Sequence, residues 1–203
     1  MTWQPVALLG AALVASGALL HGTPADSAIA DLYARSLRGD ERVVVDCISA
    51  LEAKLAIQPN DQLARVYLGS AWTLRSRDLP IGPGKLSALR KGIALMDEAA
   101  AGAPNDANVL LLRAVTNEAL PVFLGQRKVA RAQLDELLVR LEKGSARLKP
   151  ADQQLLYLNA GEAARRAGDK ERARELWRRG AALKADAKLT QEITAELTQL
   201  LNE

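Results

Sequence analysis

Beyond residue 25 the chain is written in blocks of Leu and Ala at helical spacing, separated by short polar breaks. The breaks are Gly39-Asp40, Pro59-Asn60-Asp61, Pro104-Asn105-Asp106, Pro150-Ala151-Asp152 and Gly168-Asp169. Each joins a residue that interrupts a helix to an Asp that can begin one. An Asp side chain accepts hydrogen bonds from the open amides of a first helical turn, and proline fits a helix start but not its interior. The pattern predicts helices over Ser27–Arg38 and Glu41–Ile57, another near Lys85–Gly102, and an amphipathic last helix from Lys188 to Leu201. On that last segment Leu189, Ile193, Leu197, Leu200 and Leu201 form one stripe, with Gln191, Glu192, Thr194, Glu196 and Gln199 opposite. In all, eight helices paired as four antiparallel hairpins, a ninth closing helix and no strand are expected. Two prolines and two glycines mark Ser76 to Gly84 as a loop, and Pro121 should end or kink its helix.

Spacing adds to this picture. Pro59, Pro104 and Pro150 lie 45 and 46 positions apart, each before a Leu/Ala-rich helix, and such a period marks stacked helical hairpins. In the last unit Tyr157 stands as a large aromatic, Ala160-Gly161 as a small pair, Gly168 at a turn, Ala173 and Gly180 as small residues and Trp177 as a second large one, and in this order the unit resembles a tetratricopeptide (TPR) repeat. The unit opened by Pro59 supplies Leu68-Gly69, Trp72, Gly92, Met96 and Ala99. The next supplies Ala107, Leu110, Ala114, Gly125, Ala130 and Leu134. Small residues let two helices cross closely and large ones plug the crossing. Two units exceed the usual 34-residue repeat by about eleven residues. The resemblance implies an all-α fold: a right-handed α-solenoid of TPR-like hairpins over residues 26–203, best matched at 153–186 and capped by a helix at 187–202.

The first 25 residues contain no Lys, Arg, Asp or Glu, and Val6 to Leu20 is apolar except for Gly10, Ser16 and Gly17. As a helix that run would measure about 22 Å, against roughly 30 Å of bilayer hydrocarbon. Residues 1–25 therefore read as a signal peptide, with Thr23-Pro24-Ala25 as the cleavage site, or as an uncleaved anchor tethering the chain through residues 5–20. A buried helix is the remaining alternative. Either of the first two places the rest in the periplasm or another extracytoplasmic space, released or anchored in the inner membrane.

Candidate chemistry is sparse. One cysteine, Cys47, on the apolar side of its helix, excludes an internal disulfide framework, and the single His21 excludes a His-based metal site or Ser-His-Asp arrangement. Gly82-Pro83-Gly84-Lys85 lacks the strand and the Ser/Thr ligand of a phosphate loop, and Asp97-Glu98 and Asp135-Glu136 are adjacent pairs suited to a solvated face. No enzyme and no cofactor are expected. Net charge is only +3. The basic run Arg165, Arg166, Lys170, Arg172, Arg174, Arg178, Arg179 and Lys184 includes Glu175, spaced to pair with Arg172 and Arg179. Nucleic-acid or acidic-surface binding through this repeat is the alternative function. It would need exposed aromatics among the cations, and the aromatics are assigned to the core.

TPR proteins are mostly adaptors and assembly scaffolds, so the resemblance implies binding of a peptide or helix of another protein, here near a membrane. The family's concave groove maps onto Leu63, Val66, Ser70, Asn108, Leu111, Glu118, Glu162, Arg165 and Arg166. Some members hold a terminal carboxylate with a Lys and an Asn. The corresponding positions are Val66 and Ser70, which do not reproduce that pair.

Overall fold

The computed structural model describes residues 24–202. The leader or anchor expected over residues 1–25 lies, up to residue 23, outside the described residues, as does His21. Among the described residues no helix is long and apolar enough to cross a membrane.

Nine α-helices and no strand make up the described chain: α1 (Pro24–Leu37), α2 (Glu41–Ile57), α3 (Gln62–Asp78), α4 (Pro83–Gly102), α5 (Ala107–Ala119), α6 (Gln126–Glu142), α7 (Pro150–Arg166), α8 (Lys170–Leu183) and α9 (Ala187–Leu201). Four of the five Asp-marked breaks act as anticipated; at the fifth, Pro150 opens the helix, Asp152 lies inside its first turn and Lys149 holds the cap position without a side-chain bond. The Val43 amide donates to Asp40, Ala64 to Asp61, Asn108 and Val109 to Asp106, Arg172 to Asp169 and Leu189 to Asp186. Each bond satisfies an amide that the first helical turn leaves open. α5 ends at Ala119, before Pro121, and a short 3₁₀ turn, Val122–Leu124, leads to α6.

Two local readings need correction. The Ser76–Gly84 segment is mostly helical, because α3 continues to Asp78 and α4 starts at Pro83. No Pro or Gly falls within Ser76–Asp78, and Pro83 and Gly84 occupy the first helical turn, where proline's missing N–H is harmless. The extra length of this unit thus lies in two long helices, of 17 and 20 residues, joined by four residues. Gly125 is an exposed turn residue with φ 72°, a left-handed conformation suited to glycine, not an inward packing position.

Each helix packs on the next in sequence, and α1, α3, α5, α7 and α9 also touch in succession. Polar contacts set their register. Tyr33 Oη and Ser70 Oγ lie 2.7 Å apart, Ser70 Oγ and Thr116 Oγ1 3.0 Å, and Arg77 Nη2 donates to the Ser36 carbonyl at 2.6 Å. Further along, Gln154 Nε2 donates to Thr190 Oγ1 at 2.8 Å. These bonds hold α1, α3 and α5 side by side in one direction and tie α9 to α7.

Within the hairpins, close crossings use glycine. Gly69 of α3 meets Gly92 of α4 almost backbone to backbone. In the last hairpin Trp177 is 0% exposed, lies over Gly161 and donates its indole N–H to the Leu158 carbonyl at 3.1 Å. Gly180 receives Tyr157 and Ile193. The small and large positions assigned in this unit therefore meet as a crossing and its plug.

Cys47 is fully buried, and burial pushes its thiol up to about 12, slightly offset by Ser36. Burial raises Tyr33 as well. Above pH ~9 the unfolded chain releases the Cys47 proton while the folded chain keeps it, so stability falls as pH rises from there. Urea midpoints between pH 8 and 10.5 should show a loss of about 1 to 2 kcal/mol attributable to this group. Cys47→Ala should reduce the loss. A pH dependence identical in wild type and variant would contradict the assignment.

Candidate binding face

Charged residues of α5, α6, α7 and α9 meet in one cluster. At the centre is Glu118 of α5, whose side chain is only 3% exposed. Arg131 of α6 reaches it from one flank, with Nη2 donating to Oε1 at 3.3 Å, and Arg166 of α7 from the other, with Nη1 donating at 3.1 Å. Arg166 also donates to Glu162 at 2.7 Å, one turn earlier on α7. Next to it, Arg165 pairs with Glu196 of α9 at 3.4 Å, its guanidinium 6.0 Å from the Trp177 ring centre. Three guanidinium groups with Glu162 and Glu196 thus form one ionic face on α6, α7 and α9, over the buried Glu118 of α5 that anchors Arg131 and Arg166. Arg165 and Arg166 remain 24% and 30% exposed, within reach of solvent.

Burial shapes the electrostatics. It raises the Glu162 carboxyl above its ordinary range, and the nearby Glu196 and Glu118 push the same way while Arg166 and Arg165 oppose. Glu192, on α9, is raised for the same first reason, with Lys188 opposing. Carboxylates held partly out of water beside arginines form stronger charge-assisted bonds than exposed pairs do.

The nine sequence-derived groove residues are not brought together. Glu162, Arg165 and Arg166 belong to the ionic face, and Glu118 anchors it. Val66, Ser70 and Leu111 are fully buried and cannot line an open groove. Their helices pack directly, α3 against α5 and α1 against α3, and the small Ser70 allows the approach while its hydroxyl bridges Tyr33 and Thr116. Leu63 is half-buried against the core. Asn108 lies apart, in an open depression with Arg147, Leu148 and Lys149. Sequence reading missed Arg131 and Glu196. Their signal was the tail's polar stripe, which contains Glu196, and the partner needed by Glu118, the single acid of its helix.

The basic run also looks different in three dimensions. Arg172 pairs with Asp135 at 2.5 Å and Arg179 with Glu142 at 2.7 Å, both acids on α6, while Arg174 pairs with Glu171. Cross-helix pairing thus replaces the expected pairing through Glu175. Not every aromatic is in the core: Phe123, the single phenylalanine, is 72% exposed, and Trp72 is half-buried beneath Lys91, whose Nζ stands 3.8 Å from the ring centre.

No protein-family model matches the chain, and no curated protein matches it.

Proposed function

We propose that the chain is a TPR-like right-handed α-solenoid whose ionic face, on α6, α7 and α9, binds a segment of another protein. The single observation that carries this reading is the gathering of Glu118, Glu162 and Glu196 with Arg131, Arg165 and Arg166 in one cluster. An isolated surface ion pair contributes little to stability. A continuous band of both charges, partly shielded from water, offers a partner orientation and register through exchange of ion pairs. The glycine-lined crossings, the cross-hairpin register and the polar outer side of α9 support the solenoid with a terminal cap. The charge-free amino terminus supports work outside the cytoplasm, on a chain either released or tethered.

A photo-crosslinking residue in place of Arg166 should trap a defined protein in cells. The same residue in place of Glu136, 61% exposed on the other side of α6, should not. Equal labelling from both positions, or none from Arg166, would remove the reading.

A further inference from the structure

A different surface gathers three of the most exposed apolar residues, while Ile57 and Leu201 stand singly at the ends of α2 and α9. α3 and α5 run in the same direction, joined by the Ser70–Thr116 hydrogen bond, so their carboxyl ends open onto one edge. The turn after α3 exposes Ile81, at 84%, and the turn after α5 exposes Val122 and Phe123, at 67% and 72%. All three stand on short turns between helices. Burial of such side chains is favourable, so displaying three at one edge points to something that covers them.

The turns themselves carry one sign of charge, with Asp78 at the end of α3 the nearest carboxylate to Lys85. Residues 79–96 and 119–134 contain no Asp or Glu, and Lys85, Arg127 and Lys128 lie in the first turns of α4 and α6. Neither helix has a side-chain cap: Gly82 and Gly125 hold the cap positions, whereas Asp40 and Asp169 cap α2 and α8. The positive ends of α4 and α6 therefore reach this edge without a capping carboxylate.

From these observations we infer that the edge formed by the α3–α4 and α5–α6 turns docks on an anionic phospholipid surface. Ile81, Val122 and Phe123 enter the boundary between headgroups and acyl chains, and the flanking cations and uncapped helix ends face the phosphates. Protruding side chains suit a deformable apolar layer, whereas a protein partner must supply a pocket for each. Nucleic acid matches the charge but offers no site for Ile81 and Val122. α1 begins on the opposite edge, about 21 Å away along its 14 residues.

The test uses the full chain with an environment-sensitive fluorophore on Ile81→Cys, or on Ala195→Cys, on the exposed side of α9, as control. Cys47 is buried with its thiol raised, so it stays unlabelled in the native protein. Vesicles are phosphatidylcholine with brominated acyl chains, with or without phosphatidylglycerol. Quenching at position 81 but not 195, appearing with phosphatidylglycerol and falling as salt rises, is the expected result. Val122→Ser/Phe123→Ser should weaken partitioning roughly tenfold or more with an unchanged melting temperature. Equal responses at both labels, no quenching at either, indifference to phosphatidylglycerol, or unchanged partitioning of the double variant would each overturn the inference. So would a concentration-dependent shift at position 81 without vesicles, which indicates a second copy, or competition by a single-stranded oligonucleotide in place of lipid binding.

Discussion

Replacing Trp177 with Ala should lower the unfolding free energy by about 3 to 5 kcal/mol, among the largest losses any single substitution in this chain would produce. The indole is fully buried, fills the space left by Gly161 and donates to the Leu158 carbonyl. Truncation removes the apolar transfer, leaves a cavity between α7 and α8, and takes away a buried hydrogen bond. The reverse change tests the same contact. A Cβ at Gly161 would fall inside the van der Waals envelope of the Trp177 ring, so Gly161→Leu alone should cost about 1 to 3 kcal/mol by overpacking. Because the new leucine can occupy the vacated space, the double variant should be more stable than the sum of its parts predicts. Denaturant midpoints would measure all three. Additive losses, or a midpoint unmoved by Trp177→Ala, would contradict this geometry.

The second large effect is expected at the first glycine crossing. A Cβ on Gly69 would stand 2.6 Å from the Gly92 carbonyl oxygen, and one on Gly92 2.5 Å from the Gly69 carbonyl oxygen. Alanine is the better helix former by about 1 kcal/mol. Here the obstacle is backbone, which cannot rotate aside, so the helices must separate and the clash wins. Gly69→Ala and Gly92→Ala should each lose about 1 to 3 kcal/mol net. Gly84→Ala, where the added Cβ meets nothing within 4 Å, supplies the control and should be neutral or slightly stabilising. A stability gain at Gly69 or Gly92 would mean that α3 and α4 do not approach so closely.

Much of this was legible in the chain because local rules and packing agree. Asp40, Asp61, Asp106, Asp169 and Asp186 all cap helices, and the boundaries near them follow from hydrogen bonding alone. Trp177 and Gly161 were readable as a pair because a small and a large residue at complementary positions have one obvious use. Legibility failed where neighbouring helices decide. Val66, Ser70 and Leu111 repeat at the spacing of an outward face, yet α5 is so thoroughly enclosed that Glu118 itself is buried. Periodicity identifies which residues share a side of a helix, not whether another helix already covers it. The proline-rich turns misled differently: composition marked Ser76–Gly84 as loop, although prolines and glycines at a helix start leave the helix intact. Phe123 was assigned inward by residue type, and only its place on a short 3₁₀ turn turns it outward.

The most direct measurement is the affinity of the protein trapped at the Arg166 position, titrated as a purified segment against wild type and Arg165→Ala/Arg166→Ala, with melting temperatures taken on the same samples. Those two arginines tie α7 to Glu118 of α5 and Glu196 of α9, with Arg166 also pairing to Glu162 within α7, and a segment that engages the ionic face must replace or join those bonds. Loss of two charge-assisted contacts predicts binding at least roughly tenfold weaker in the folded variant, with the wild-type affinity falling as salt rises. Equal affinities for the two proteins, insensitive to salt, would contradict a binding role for this face.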